Sequence, residues 1–167
     1  MTQRHGWTLI GLALATCAFP ALADAASATA NVSASIVPAI SIAKNTDMSF
    51  ADVIASASAG TVVLSTAGAR SATGGAVLGN GSGAAAAAFT VTGDPSSTYS
   101  ITLPSSTTIS SGGNNMTVNT FTSNPSGTGT LSGGGTQSLA VGATLQVGAN
   151  QVEATYTGTF DVTVAYN

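Results

Sequence analysis

The chain has 167 residues, 44% of them hydrophobic and only 5% charged, with a formal net charge of −3. Its three Lys or Arg residues are too few to neutralise a phosphate backbone or to hold an anionic lipid surface, which excludes nucleic acid and basic membrane docking. What remains is one domain of ordinary size whose Ser-, Thr-, Asn- and Gly-rich surface offers little charge repulsion against self-association.

The first elements read as a leader. Arg4 and His5 precede an uncharged run from Trp7 to Phe19, Pro20 breaks it, and Ala21-Leu22-Ala23 forms a small-x-small cleavage pattern. This order predicts a signal peptide over residues 1–23 and a mature domain over 24–167. The expected destination is the periplasm in transit, then the cell surface or medium. The apolar run is shorter than the roughly 20 residues a spanning helix needs, so no integral membrane segment is expected in the mature chain. The one cysteine, Cys17, lies inside the leader, which leaves no disulfide after cleavage. Leu14-Ala15-Thr16-Cys17 is a loose lipoprotein box, with Thr16 where a smaller residue is usual.

Period-two alternation dominates the rest of the chain. Ala28, Ala30, Val32, Ala34 and Ile36 alternate with Thr29, Asn31, Ser33 and Ser35, which is the pattern of a strand with one wet face. Met48-Ser49-Phe50 is a short strand, and residues 61–64 and 75–78 are further ones. The Gly79–Gly83 run is a flexible loop. Ala84–Ala88 is too short to hold a helix alone, and Phe89 and Val91 draw it into a strand. Phe89-Thr90-Val91-Thr92 and Tyr99-Ser100-Ile101-Thr102-Leu103 flank Gly93-Asp94-Pro95-Ser96-Ser97, and together they read as a hairpin with a five-residue turn. Residues 116–121 form another strand between the Gly/Ser-rich stretches 110–115 and 127–135. Leu139, Val141, Ala143, Leu145 and Val147 then alternate in a long strand. Tyr156, Phe160, Val162, Val164 and Tyr166 do so in a last one, with Gly158 as the gap. Alternating strands must pair their apolar faces, so the expected fold is all-β, an antiparallel β-sandwich.

Catalytic chemistry is scarce. Beyond the leader there is no His and no Cys, which removes Ser-His-Asp and Cys-His nucleophilic sites and the usual zinc ligand sets. No phosphate-binding Gly-x-x-x-x-Gly-Lys-Ser/Thr motif precedes Lys44. Asp47 and Asp52 have the chemistry of an acid–base pair, but no other polar group supports them, and they read as loop residues. Asp94 before Pro95 is a turn former, and Asp161 belongs to the solvent face with Thr159 and Thr163. The acids lack calcium-loop spacing. No enzyme activity, catalytic residue, metal or cofactor is expected.

The last strand, from Tyr156 to Asn167, closes the chain on alternating apolar residues with a near-terminal tyrosine, and it resembles the last strand of chaperone–usher pilins. Several segments together resemble the bacterial domain-of-unknown-function family 4402, whose exported β-domains look pilin-like. They are Val37-Pro38-Ala39-Ile40-Ser41-Ile42, Met48-Ser49-Phe50, Phe89-Thr90-Val91-Thr92-Gly93, Tyr99–Pro104, Leu139–Leu145 and the C-terminal strand. The pilin resemblance implies an immunoglobulin-like sandwich one strand short, completed first by a periplasmic chaperone, then, at the usher, by a donor strand from the next subunit. On that basis Ala28, Ala30, Val32, Ala34 and Ile36 match a donor strand, and Tyr156, Phe160, Val162, Val164 and Tyr166 match a chaperone or assembly strand. Read from the residues alone, Ala28–Ile36 serves equally well as the domain's own first strand. The expected function is therefore a fimbrial or pilus-like surface subunit contributing to adhesion. The alternative is a self-contained secreted module binding a carbohydrate or surface protein.

Overall fold

The structure, a computed structural model, describes residues 25–167. The leader expectation for residues 1–23, with Cys17, lies outside the described residues. The chain divides into two units, Met1–Ser35 and Ile36–Asn167. In the first, residues 25–35 carry no strand and every one is exposed, Val32 to 95%. The alternation of Ala28–Ile36 thus predicts a strand that is absent. Four of its five apolar knobs are only Ala or Val, which bury little area and do not hold a strand without a partner.

The second unit is all-β and antiparallel, and its described residues contain no helix. Its twelve strands, in chain order, are β1 (Ser41–Thr46), β2 (Val53–Ile54), β3 (Gly60–Leu64), β4 (Arg70–Gly74), β5 (Val77–Leu78), β6 (Ala87–Thr92), β7 (Thr98–Thr102), β8 (Ser106–Ser111), β9 (Asn114–Asn124), β10 (Thr128–Thr130), β11 (Thr136–Val147) and β12 (Thr163–Tyr166). β11 is the spine of a seven-stranded sheet. Ala140 pairs with both Ala88 and Asn124, and Thr144 with both Val63 and Asn119. So β6 and β3 lie end to end along one edge of β11, while β9 lies along the other. Gly142 sits at the switch from β6 to β3, where a Cβ would collide with the Leu64 carbonyl. β1, β4 and β8 then add to β6, β3 and β9. A three-stranded sheet, β10-β7-β12, and a two-stranded ribbon, β2-β5, complete the unit.

The alternation of β11 is realised in full. Leu139, Val141, Ala143, Leu145 and Val147 are all buried, at 4% exposure or less. Burying a Val or Leu side chain contributes roughly 1.5–3 kcal/mol, so this one strand anchors both halves of the core. In one half, Ala87, Val91, Leu139 and Val141 of the large sheet pack against Tyr99 of β7 and Leu131. In the other, Val62, Val118, Leu145 and Val147 pack with Ala76 and the half-buried Val53 and Leu78 of the ribbon. Arg70 ties that ribbon in place, its guanidinium donating to the carbonyls of Phe50 (2.6 Å) and Asp52 (2.9 Å).

Several local expectations are corrected. Phe89–Thr92 and Tyr99–Leu103 do not form a hairpin. β6 pairs with β1 and β11, while β7 pairs with β10 and β12. The Gly93–Ser97 connection is an arch between sheets, turned by Ser96 at φ 62° and closed where Ser97 N–H donates to Asp94 O at 3.2 Å. Met48–Phe50 is reduced to one bridge, Ser49 to Ala85. The Gly/Ser-rich stretch 110–115 is itself a hairpin turn. Gly112 and Gly113 both have positive φ, as a two-residue turn between twisted strands requires. β4, β8 and β10 are built mainly of Ser, Thr, Gly and Ala, so hydrophobic alternation gave little sign of them.

The C-terminal segment changes sheets. Only Thr163–Tyr166 pairs regularly, with β7. Thr157 instead bridges Ser110 of β8 through two backbone hydrogen bonds of 2.9 and 3.1 Å, and Thr107 Oγ1 donates to Thr159 O at 2.7 Å. The gap residue Gly158 lies against Thr108 O, where a Cβ would sit 2.6 Å away.

Candidate functional site

A site for adding a strand needs an unpaired edge beside apolar surface. Most edges of this domain are blunted. The outer edge of β8 is strapped by Thr157–Thr159. β4 leads through Gly74, at φ 66°, into a hydrogen bond from Gly75 N–H to Ala59 O. β10 has three residues. The later half of β1 carries a register irregularity between Lys44 and Thr46, with Lys44 paired to Asp47 on the surface. Bulges and edge charges of this kind discourage pairing.

The ribbon strands β2 and β5 have only two residues each, which leaves two longer plain edges among the described residues, those of β12 and of Ser41–Ala43 in β1. Each strand is hydrogen-bonded on one side only, β12 to β7 and β1 to β6. They approach one another without pairing. Beside them lies a row of half-buried apolar side chains: Ile40 and Ile42 from the β1 side, Phe160, Val162, Val164 and Tyr166 from the β12 side. All six pack on the buried cluster of Ala87, Val91, Tyr99, Leu131, Leu139 and Val141. Along 160–166 the alternate residues, Asp161, Thr163 and Ala165, are exposed. This is the period of a strand whose inner face is only partly covered.

Aromatic contacts fix the two ends of the row. Phe160 sits between Phe121, at 5.0 Å between centroids, and Phe89, edge-on at 6.5 Å and 85°. At the other end, the Tyr166 hydroxyl accepts a hydrogen bond from Asp94 N–H (2.6 Å) and donates to Pro38 O (2.9 Å). Gly93 makes room for it, because a Cβ there would overlap that hydroxyl. Beneath, Tyr99 is fully buried and donates to Gln137 Oε1 at 2.7 Å, and burial pushes its phenol pKa up.

The candidate residues named from sequence fall in three places. Phe160, Val162, Val164 and Tyr166 come together in the row. Tyr156 does not. It packs in the loop before the strap, where its hydroxyl donates to Val152 O at 2.8 Å and accepts from Gln151 Nε2. Ala28, Ala30, Val32 and Ala34 belong to the first unit, where residues 25–35 are exposed, and Ile36, 98% exposed, opens the second. Ile40 and Ile42 were not assigned to the site from sequence, although their alternation around Ser41 was a usable signal. Gly93 and Asp94 read only as turn formers. Of the two loop acids, Asp47 holds Lys44, and Asp52 lies under Gly79 and Gly81.

Residues 40–166 match the family model described as Domain of unknown function (DUF4402). No curated protein and no solved structure matches the chain.

Proposed function

The chain belongs to the DUF4402 family, and on that premise we propose that it is an exported structural subunit of the cell surface, assembled by strand donation. The observation that carries this reading is the pair of plain edges, β1 and β12, beside a row of half-buried apolar side chains. An added strand would satisfy the open backbone groups of β12 and cover Ile42, Val162 and Val164. The same sequence carries a segment of suitable form. At about 3.3 Å per residue, Ala28–Ile36 spans roughly 26 Å and the row from Phe160 to Tyr166 roughly 20 Å. Its apolar face, Ala28, Ala30, Val32, Ala34 and Ile36, has the same two-residue period as the row it would cover. In this scheme a periplasmic chaperone covers the row first, an usher directs exchange, and a second copy supplies the donor, building a fimbria-like filament with a role in adhesion.

A second reading, a self-contained secreted binding module, draws on the quality of the isolated domain. Among the described residues no buried side-chain polar atom lacks a hydrogen-bond partner, the Tyr99 hydroxyl being held by Gln137, so nothing in its two cores calls for a partner.

Deleting residues 28–36 separates the two. Strand donation expects the shortened domain to keep its denaturation midpoint but to lose multimers in size-exclusion chromatography and filaments in electron micrographs. A full-length chain that stays monomeric at high concentration, unaffected by the deletion, would favour the binding module.

A further inference from the structure

One chain carrying both an exposed donor segment and an open acceptor row raises a question of choice. Residues 28–36 are separated from β1 by only four residues, 37–40, a length that commonly closes a β-hairpin. A reversal there would let a chain fill its own row and end all assembly. We infer that Tyr166 is a positioning residue that disfavours this self-insertion by holding the root of the donor segment in an extended path. The inference rests on the strand-donation reading.

The geometry supplies the hold. Tyr166 lies at the end of β12, and its hydroxyl gives its single proton to Pro38 O while accepting Asp94 N–H. One phenol thus joins the C-terminal strand, the arch between sheets and the segment that leads into β1. Gly93 leaves the space the hydroxyl needs. The local sequence acts in the same direction. Pro38 fixes its own φ near −65°, and the residue before a proline is driven towards extended conformations, so Val37 resists a tight reversal. Residues 36–40 contain neither turn nor bend. A hairpin back along β1 would have to turn within them and carry the Pro38 carbonyl away from Tyr166.

A single neutral hydrogen bond shifts such an equilibrium by roughly five-fold. That is enough to bias a choice between self-insertion and donation without freezing it. Tyr166→Phe keeps the ring in the apolar row and removes only the hydroxyl. Pro38→Ala keeps the carbonyl and the hydroxyl but relaxes the backbone restriction on residues 37 and 38.

The test uses the full chain, refolded at equal concentration as wild type, Tyr166→Phe and Pro38→Ala. The monomer-to-multimer ratio is read by size-exclusion chromatography, and protection of amides 28–36 in the monomer fraction by hydrogen exchange. The expected result is a several-fold rise in monomer for both variants, with the 28–36 amides newly protected. A lower melting temperature with an unchanged ratio in Tyr166→Phe would reduce Tyr166 to an ordinary packing residue and overturn the inference. Wild-type multimers would meanwhile leave strand donation standing. If Tyr166→Phe fails to fold, Gly93→Ala, whose Cβ would displace the Tyr166 hydroxyl, takes its place, and an unchanged ratio in it overturns the inference. Wild type that forms no multimer at any concentration sinks both.

Discussion

The rings of Phe121 and Phe160 lie 5.0 Å apart at an interplanar angle of 37°, which joins β9 of the large sheet to the segment that leads into β12. Phe160 is the hinge at which the C-terminal chain leaves one sheet for the other. Phe160→Ala removes this contact together with the edge-on one to Phe89. A fully buried Phe→Ala change costs about 3–5 kcal/mol. Phe160 is only half-buried, so the expected loss is about 2 kcal/mol, read as a lowered midpoint in urea.

Val164 of β12 and Val162 just before it press inward beside an edge that no described strand pairs. Val162→Asp or Val164→Asp puts a charge among apolar side chains with no partner, at a cost of roughly 2 kcal/mol or more. Thr163→Asp, on the exposed face of the same strand, should be nearly neutral. Strand donation expects the two valine variants to lose multimers even in medium that keeps them folded, as checked by circular dichroism alongside chromatography. Equal behaviour of all three variants would argue against a role for this row.

Gly158 lies where the strap crosses β8, with Thr108 O and Ile109 in the space a side chain would take. Gly158→Val should lift Thr157 from its bridge to Ser110 and lay open the β8 edge. An unpaired edge invites pairing with other chains. The expected outcome is concentration-dependent aggregation, seen by light scattering, that does not require residues 28–36. Deleting those residues in the same variant should leave the aggregation in place.

The buried Tyr99 phenol sets an alkaline limit. Its pKa is raised above 10.0 by burial, so the folded chain keeps this proton at pH values where the unfolded chain has released it. The contribution to stability against pH is flat below pH 10.0, and stability is lost as pH rises from there through the raised value. The urea midpoint should therefore hold steady between pH 7 and about 9.5 and fall above it. Tyr99→Phe should remove this part of the fall. Below pH 10.0 it should also lower stability by about 1 kcal/mol, because Gln137 loses its partner.

How much of this was legible beforehand depends on how far each feature reaches along the chain. The inward faces of β11 and of Phe160–Tyr166 could be read residue by residue, because alternation records burial and burial is written locally. Ser/Thr-rich strands such as β4 and β8 left no such record, since either of their faces tolerates water. The same limit applies to Ala28–Ile36, whose alternation is as regular as that of β11 but whose small side chains find no partner in the described chain.

What the sequence by itself determined is the fold class, the inward set of the spine strand and the apolar row of the last one, all consequences of a two-residue period. Tertiary structure decided which strands are neighbours. Phe89–Thr92 and Tyr99–Leu103 looked like partners because only a short turn-forming stretch separates them, yet each obtained more complete hydrogen bonding from distant strands, β6 from β1 and β11, β7 from β10 and β12. The meeting of Tyr166 with Pro38, 128 residues away, was likewise beyond any local pattern. Backbone hydrogen bonds are the same for every residue, so pairing follows from which faces can be buried together, a property of the whole chain and not of any segment within it.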